Sequence, residues 1–372
     1  METLIYYLVL ASFILWIIVL FLPWQPWSTR EQWDSDATEE GDLEDVTVLI
    51  PARNEGNIIG RTLPSVFSQG KNLNIILIDD SSTDDTASRA NQFGKENLTL
   101  LSGKPLPERW SGKLWALEQG RLLVNTPFLL LLDADIELRE GLIAGLRRKM
   151  ISENLPFVSL LAWFQLEGFW EKMLMPAFIY FFKLVYPFRL SNSNFRYVAA
   201  AAGGCIMMRT EVLEKIGGFE PIKEELIDDC SLARQVKRAG FRTWLGLTHS
   251  VKSIRPYKQL SDIWNMVART AFNQLNYSLL LLLGCSALLI IAYALPLFWI
   301  FYPEMPTRLF SAAAYLLLMI TYLPVLRFYK LSIGWALLLP FIGLLFMLMT
   351  WTSAFRYHKG EKVRWRGRIV QR

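Results

Sequence analysis

The sequence contains few of the side chains from which common metal and redox sites are built. Among its 372 residues there are two histidines, His249 and His358, which excludes a site with several imidazole ligands. The three cysteines have neither metal-ligand nor disulfide spacing, which fits a reducing compartment. Internal repeats and low-complexity segments are absent as well. A lone histidine such as His249 is more typical of a structural role than of catalysis.

Charged side chains are almost missing from four long apolar segments. The first covers residues 4–22, and the others cover residues 278–301, 309–326 and 332–355. Each is close to the roughly 20 residues that cross a bilayer core as a helix. The first segment lacks the basic flank and the small-residue cleavage site of a signal peptide. We therefore expect an integral membrane protein.

The apolar segments divide the chain into expected domains. We predict an N-terminal anchor over residues 1–27, an acidic, solvated linker over 28–45, a soluble domain over 46–270, C-terminal membrane helices over 278–356 and a basic tail over 357–372. The aromatic segment 169–190 is predicted to be an interfacial helix, with a helix buried in the soluble core as the alternative. The tail is expected to attract anionic lipid headgroups or phosphate. No nucleic-acid-binding module is recognisable, so nucleic acid is not an expected partner.

The sequence determines the membrane orientation only in part. A bacterial-type inner membrane, with the soluble domain in the cytoplasm, is the expected location. This arrangement places the N-terminus outside, and three further crossings would place the basic tail outside too. The positive-inside tendency favours a cytoplasmic tail. Pro296, Pro324 and Pro340 allow breaks in the helices, so a re-entrant segment stays an open alternative.

Within the soluble domain, two apolar strands lead directly into acidic residues. Residues 75–78 end at Asp79-Asp80, and residues 128–132 end at Asp133-Ala134-Asp135. Alternating strands and helices predict a parallel, doubly wound α/β sheet, in which the carboxyl ends of the strands line the ligand crevice. Because Mg²⁺ or Mn²⁺ binds one or two carboxylates together with substrate phosphates, these acids predict a metal bridging to a polyanion. The alternative is that they cap helices or form turns.

Two further features belong to the later part of this domain. Gly203-Gly204 is small enough to let the backbone approach a ligand closely. Asp228-Asp229 begins a predicted helix, whose dipole favours an acidic residue at that end. The dipole accounts for one of the two acids, and a chemical role explains the second better.

In sequence order, these motifs resemble those of the inverting family-2 glycosyltransferases of GT-A fold. The matching segments are residues 51–55, residues 78–86, the Asp-x-Asp at 133–135, the small residues at 203–205 with Gly217-Gly218-Phe219, and the acidic pair at 228–229. The resemblance implies an α/β, Rossmann-like doubly wound GT-A catalytic domain, here with one N-terminal and about three C-terminal transmembrane helices. It also implies a nucleotide-diphosphate-sugar donor and a divalent cofactor, Mg²⁺ or Mn²⁺.

The same resemblance implies roles for individual residues. On the donor side, Asp80 and the backbone near Pro51 hold the base, with Arg53 and Glu55 close by. Asp135, assisted by Asp133, binds the metal. Asp229 is the general base, Asp228 orients it or the metal region, and Gly203, Gly204 and Cys205 form the acceptor-side loop. Two basic residues are left open: Lys113 as a diphosphate ligand or a surface lysine, and Arg269 as a diphosphate contact or a headgroup anchor.

A closer resemblance extends over most of the chain, to the hopene-associated glycosyltransferases. It is carried by residues 110–117, 199–205, 226–234, 244–248, 255–257 and 266–272. It implies a lipid acceptor of the hopanoid or isoprenoid kind. Processive and ceramide-type relatives carry Gln/Arg-x-x-Arg-Trp, but here only Arg269 remains at residues 266–270 and the tryptophan is missing, which weakens the alternative of a processive polysaccharide synthase.

Two further alternatives come from other classes. A nucleotidyltransferase would bring a Gly-rich, basic loop after its first strand, and residues 51–55 lack one. A non-catalytic membrane scaffold or lipid carrier with a degenerate transferase domain would not need the full set of acids.

Overall fold

A computed structural model describes residues 2–36 and 41–361, together with the backbone of residues 364–365 and 368–369. The chain divides into two compact units. The first consists of Met1–Arg30, Leu166–Arg189 and Tyr257–Glu361, and the second contains Glu31–Gln165 and Leu190–Pro256. The boundaries expected from the sequence, such as 46–270 for the soluble domain, stay a prediction.

The second unit is built on an eight-stranded mixed sheet. Its strands are β1 (Val46–Ala52), β2 (Asn74–Asp79), β3 (Leu98–Ser102), β4 (Phe128–Leu132), β5 (Ile136–Leu138), β6 (Phe157–Phe164), β7 (Cys205–Arg209) and β8 (Trp244–Ser253). They lie in the order β3-β2-β1-β4-β7-β6-β8-β5. The first two crossovers run in one direction from β1, and the chain then returns to place β4 on the other side of β1. This reversal creates a topological switch point between β1 and β4, where ligands bind in open α/β sheets.

The helices of this unit cover both faces of the sheet. They are α2 (Gly56–Phe67), α3 (Thr86–Asn91), α4 (Gly112–Arg121), α5 (Leu142–Ser152), α8 (Thr210–Lys215) and α9 (Asp228–Arg238). Alternate side chains of β4 enter opposite cores: Leu130 packs with the apolar residues of α2 and α5, and Leu129 packs with those of α4 and α9. A strand buried on both faces must be apolar at every position, which explains why all five residues of β4 are apolar.

The predicted GT-A type of α/β fold is confirmed, with one difference in strand direction. β1 to β4 are mutually parallel, as the alternation of strands and helices predicts. β7 runs antiparallel to β4, with Cys205 opposite Leu132. The start of β7 therefore lies beside the end of β4. This pairing brings the Gly203-Gly204 segment to the Asp-x-Asp.

The first unit is helical. Its helices are α1 (Glu2–Phe21), α6 (Phe169–Val185), α7 (Phe188–Ser191, whose last two residues belong to the second unit), α10 (Leu260–Ala268), α11 (Ala271–Gln274), α12 (Leu279–Leu289), α13 (Leu295–Phe298), α14 (Met305–Phe328) and α15 (Leu339–His358). Short π and 3-10 segments, such as Ile290–Ala294 and Ile333–Leu338, extend them. Among the described residues, four stretches are long and apolar enough to cross a membrane: Glu2–Phe21, Leu279–Phe301, Met305–Phe328 and Ile333–His358. These agree with the four segments expected from the sequence.

The aromatic helix α6 packs against these apolar helices. Its Tyr180 hydroxyl lies 2.8 Å from the Thr321 hydroxyl of α14. Phe181 contacts Tyr293 and Phe346, with ring centroids 5.4 and 4.9 Å apart. These contacts place α6 in the helical unit. Its position in a membrane interface stays a prediction.

Residues 31–36 of the predicted acidic linker are hydrogen-bonded to β8, while the Asp34 and Asp36 side chains are exposed. The Trp33 N–H donates to the Leu247 carbonyl of β8, and the Ser35 N–H donates to the Ser250 hydroxyl. Asp34 accepts hydrogen bonds from Thr248 and from the backbone of His249. These bonds fix residues 31–36 along β8, so His249 has a structural partner. Of the basic tail, β9 (Arg364–Trp365) and β10 (Arg368–Ile369) form a two-stranded antiparallel ladder, and the other residues of 362–372 lie outside the described residues.

Candidate active site

The acids predicted from the sequence follow the parallel strands at one edge of the sheet. Arg53 and Glu55 follow β1, Asp80 follows β2, and Asp133 and Asp135 follow β4. Because these strands are parallel neighbours, their carboxyl ends lie side by side at the switch point. This edge is where a ligand is expected.

Lys113 joins two of the acidic motifs. It lies in the first turn of α4, whose N-cap Ser111 accepts a hydrogen bond from the Leu114 N–H. Its Nζ lies 2.9 Å from Asp133 Oδ1 and 2.9 Å from Asp228 Oδ2. Burial lowers the pKa of Lys113, but the charges of Asp133 and Asp228 outweigh this effect and raise it, so the ammonium stays charged. The geometry does not support a surface lysine.

Asp133 and Asp228 are thus two carboxylates that share one cation. Burial raises the pKa of Asp133 to about 6, with a further increase from Asp135 and Asp228 and an opposing effect of Lys113. Crowded carboxylates of this kind favour binding of positive charge, because each destabilises the ionised form of the others.

Asp229 is held by backbone donors. Its Oδ2 accepts a hydrogen bond of 2.8 Å from the Gly203 N–H, and its Oδ1 accepts one of 2.7 Å from the Cys230 N–H. Burial, followed by the charge of Asp228, raises the pKa of Asp229 to about 6. An aspartate with a pKa near the working pH is suited to general-base catalysis.

The Gly203-Gly204 segment connects Asp229 with Asp133. The Gly204 carbonyl accepts from the Asp133 N–H, while the Gly203 N–H donates to Asp229. A Cβ on Gly203 would lie 3.2 Å from Lys113 Nζ and 3.4 Å from Asp229 Oδ2, so glycine leaves space for both side chains. Cys205 is buried as the first residue of β7.

Asp135 is held by a residue that the sequence did not single out as part of the site. Arg255 follows β8, and its Nε lies 2.6 Å from Asp135 Oδ2. Its Nη2 lies 3.0 Å from Glu55 Oε1. Burial raises the pKa of Glu55 to about 7, against the opposing charge of Arg255. The sequence offered two signals, the resemblance over residues 255–257 and an arginine two residues after a strand. Neither predicts the pairing with Asp135 across 120 residues, which depends on the strand order.

Asp80 contacts the residues at the end of β1, where its N–H donates to the Ala52 carbonyl. Its side chain is fully buried and lies 3.9 Å from Arg53 Nη1, which also donates to the backbone carbonyls of Asp80 and Ser81. Gly103 approaches the same turn, and its N–H donates to the Asp79 carbonyl. Arg53 and Asp80 are thus brought together, and the contact of Asp80 with a base stays a prediction.

The structure groups most of the predicted residues within the second unit. A cavity there is lined by polar residues and backbone from several motifs, namely Pro51, Lys113, Asp133, Gly203, Asp228 and Asp229, and by apolar residues including Leu114, Leu131 and Phe219. Arg269 lies in the first unit, exposed at the C-terminus of α10. Its predicted role, as a diphosphate contact or as a headgroup anchor, stays a prediction.

Residues 47–217 match the family described as "Glycosyl transferase family 2". These residues form a glycosyltransferase family 2 domain. The chain is 34% identical over 91 residues to the 4,4'-diaponeurosporenoate glycosyltransferase of Staphylococcus aureus (strain USA300), and the match covers 24% of each chain. It is 33% identical over 106 residues to the enzyme of that name from Staphylococcus haemolyticus (strain JCSC1435), covering 28% of each chain. The chain thus matches about a quarter of the length of these curated relatives.

A solved structure has a similar fold over nearly the whole chain. It is the mannosyltransferase PcManGT from Pyrobaculum calidifontis, in complex with GDP-Man and Mn²⁺. The TM-score is 0.58 at 16% sequence identity, and the match covers 96% of this chain and 100% of that one. At this identity the similarity establishes the fold of the family 2 domain and of the helices that flank it.

The carboxylates of the family 2 domain fit a divalent metal in part. Among the described residues, no group of three His, Cys, Asp or Glu side chains is arranged to hold an ion unaided. Asp133 and Asp135 provide two hard oxygen donors at the switch point, each now paired with a cation. Mg²⁺ and Mn²⁺ accept such a pair when substrate phosphates and water complete the coordination shell. The donor set therefore fits a metal that binds together with a diphosphate.

Proposed function

We propose that this protein is a membrane-bound, inverting glycosyltransferase. It transfers a sugar from a nucleotide-diphosphate sugar to a hydroxyl group of an isoprenoid-type lipid, of which hopanoids are one class. The observation that carries the proposal is the convergence of Asp133, Asp228 and Asp229 on Lys113 and the Gly203-Gly204 backbone, within a family 2 domain.

On the donor side, Asp135 and Asp133 would hold the divalent metal. When bound, such an ion supplies positive charge that stabilises the departing nucleotide diphosphate. Lys113 adds a second positive charge next to Asp133. Asp80, Arg53, Glu55 and the backbone at Pro51 are proposed to hold the nucleotide. The bound GDP-Man and Mn²⁺ of the structurally similar mannosyltransferase support this donor class.

On the acceptor side, Asp229 is the proposed general base. The acceptor hydroxyl transfers its proton to the Asp229 carboxylate while its oxygen forms a bond to the anomeric carbon. The bond from that carbon to the diphosphate oxygen breaks, and the configuration inverts. The two backbone donors fix the orientation of the carboxylate before the acceptor arrives, which is the preorganisation that efficient proton transfer requires. Asp228 holds Lys113 beside the base.

Two observations support a lipid acceptor. Four stretches of the described chain are long and apolar enough to cross a membrane, and relatives over a quarter of the chain are named for a carotenoid-type acceptor. The basic tail 357–372 is proposed to bind anionic headgroups. We propose a bacterial-type inner membrane with the catalytic domain in the cytoplasm, where nucleotide sugars are made.

The alternatives from the sequence have less support. A degenerate scaffold or lipid carrier has no need for a buried lysine held between two carboxylates, or for a third carboxylate on two backbone donors. A processive synthase would be expected to carry the tryptophan that residues 266–270 lack.

The test is mass spectrometry of lipids from cells that lack the protein or over-produce it, with labelled nucleotide sugars supplied to their membranes. A glycolipid that disappears in the first strain and accumulates in the second is the expected result. The strain that lacks the protein, supplied with the Asp229→Asn variant, is the matched control and should resemble the deletion strain. Unchanged lipids in all strains, with labelled polysaccharide instead, would overturn the lipid-acceptor proposal.

A further inference from the structure

Both carboxylates proposed to bind the metal already have a cationic partner. Lys113 Nζ lies 2.9 Å from Asp133, and Arg255 Nε lies 2.6 Å from Asp135. The Asp135 and Glu55 side chains are 15% and 7% exposed, so the Arg255 guanidinium links two largely buried carboxylates. A divalent ion that approaches Asp135 therefore competes with the guanidinium for the same oxygen.

We propose that Arg255 is a ligand of the donor diphosphate and that it restrains the metal site until the donor binds. This inference rests on the proposed function. Without the donor, the guanidinium remains on Asp135 and Glu55. With the donor bound, the guanidinium transfers to the phosphate oxygens, and Asp135 is released to coordinate the metal. The metal and the nucleotide then bind cooperatively.

The chemistry of arginine supports this exchange. A guanidinium remains charged and binds carboxylate and phosphate oxygens through the same planar set of N–H donors, so a diphosphate can replace the two carboxylates without loss of hydrogen bonds. Arg255 is also placed to change partners, because its side chain is 25% exposed and lies at the end of β8. Lys113 is less suited to this role, since its ammonium also holds Asp228 on the base side.

Cooperative binding has a quantitative consequence. If nucleotide raises the affinity for the metal, the metal must raise the affinity for nucleotide by the same factor, which is typically about 5- to 150-fold. Removing the guanidinium should change both the metal affinity without nucleotide and the coupling between metal and nucleotide. Metal binding without nucleotide becomes stronger because the guanidinium no longer competes for Asp135. The coupling becomes smaller because nucleotide binding no longer removes the guanidinium from Asp135.

The experiment measures Mn²⁺ binding to the full chain in nanodiscs by electron paramagnetic resonance, with and without GDP, UDP, ADP or dTDP. For the unaltered protein we expect weak Mn²⁺ binding that a nucleoside diphosphate strengthens by at least roughly tenfold. For Arg255→Gln we expect Mn²⁺ alone to bind roughly tenfold more tightly, with a smaller effect of nucleotide. Arg255→Lys, which keeps the charge but not the planar donors, should lie between the two.

Arg61→Gln is the matched control, because it removes an arginine–glutamate pair elsewhere in the same unit. It should bind Mn²⁺ like the unaltered protein. Equal Mn²⁺ affinity of the unaltered, Arg255→Gln and Arg255→Lys proteins without nucleotide would overturn the inference, whatever the nucleotide arm gives. Failure of every nucleotide to bind with Mn²⁺ present, while Arg255→Gln still strengthens Mn²⁺ binding, would count against the proposed function and leave the restraint by Arg255 supported.

Discussion

The two halves of the acidic site are held by different kinds of group. Asp229 accepts hydrogen bonds from the Gly203 and Cys230 N–H groups, whereas Asp133 and Asp135 are held by the side chains of Lys113 and Arg255. A backbone donor moves only when the chain moves, while a long side chain exchanges partners by rotating about its own bonds. The comparison supports the two proposals, that the acceptor half is prearranged for proton transfer and that the donor half rearranges when its ligands bind.

The largest effect is expected from Asp229→Asn. The amide retains the shape of the side chain and an oxygen for the Gly203 N–H, but it cannot accept the proton of the acceptor. We expect the turnover number to fall by about 10²- to 10⁴-fold, with donor binding nearly intact. Single-turnover transfer and calorimetric nucleotide binding measure the two quantities. Full transfer by the purified variant would remove Asp229 as the base and would abolish the contrast between the halves.

Asp135→Ala tests the donor half. It removes one of two proposed metal ligands and leaves the Asp229 hydrogen bonds unaltered, so the metal-dependent part of nucleotide binding should be lost. We expect nucleotide affinity in the presence of Mn²⁺ to fall by at least roughly tenfold, within the range usual for linked ligands. Calorimetry with and without Mn²⁺ gives the result directly. Unchanged affinity would contradict a metal on Asp135, and Asp229→Asn serves as the variant in which metal dependence should persist.

The sequence predicted the carboxylates of the donor half, but it did not predict the ion pairs that hold them. The apolar runs of β2 and β4 lead into acids, so the sheet edge and its carboxylates follow from periodicity and the behaviour of parallel strands. The partners do not follow, because Arg255 reaches Asp135 only through the pairing of β5 with β8. Contacts between residues far apart in the chain depend on strand order, which local patterns do not encode.

The contacts of the acceptor half could not be predicted either, because they depend on the direction of β7. A parallel β7 would carry Gly203-Gly204 to the opposite edge of the sheet, far from the acids. The antiparallel pairing of Cys205 with Leu132 brings these glycines to Asp133 and supplies the donor to Asp229. The sequence resemblance gives these motifs only as an ordered set, and the strand pairing gives the physical reason for their contact. The same holds for residues 31–36, because the local sequence does not show that they pair with β8.

The pH dependence of kcat/KM tests the proposed role of Asp229 in the acceptor half. With the pKa of Asp229 near 6, kcat/KM should fall by about tenfold per pH unit as the pH drops below 6, since the protonated carboxyl cannot act as a base. Asp133 titrates in the same range, so the slope will steepen if its ionisation is also required. Initial rates between pH 4.5 and 8 at saturating acceptor and limiting donor measure this.

Stability provides the control for that profile. Because folding raises the pKa of Asp229 from 3.8 to about 6, the folded chain binds this proton more tightly than the unfolded chain. The contribution of this group to the free energy of unfolding therefore falls as the pH rises from about 4 to about 6 and does not fall on acidification over that range. A thermal midpoint that stays level or rises from pH 6 to pH 5, while kcat/KM falls, would assign the loss to catalysis. A flat rate profile down to pH 5 would contradict the raised pKa.

The smallest effect, and the finest test of the two halves, comes from the neighbouring glycines. A Cβ at position 203 would lie 3.2 Å from Lys113 Nζ and 3.4 Å from Asp229 Oδ2, so Gly203→Ala should displace the lysine by a few tenths of an ångström. We expect a loss of roughly threefold to tenfold in turnover, because small shifts of a catalytic group are costly. A Cβ at position 204 would instead lie 3.0 Å from Ile136 Cδ1, so Gly204→Ala should lower stability by about 1–3 kcal/mol, with turnover little changed at permissive temperature. Turnover and thermal midpoints of both variants separate the outcomes, and equal effects on turnover would mean that the segment acts as a general spacer and not as the support of Asp229.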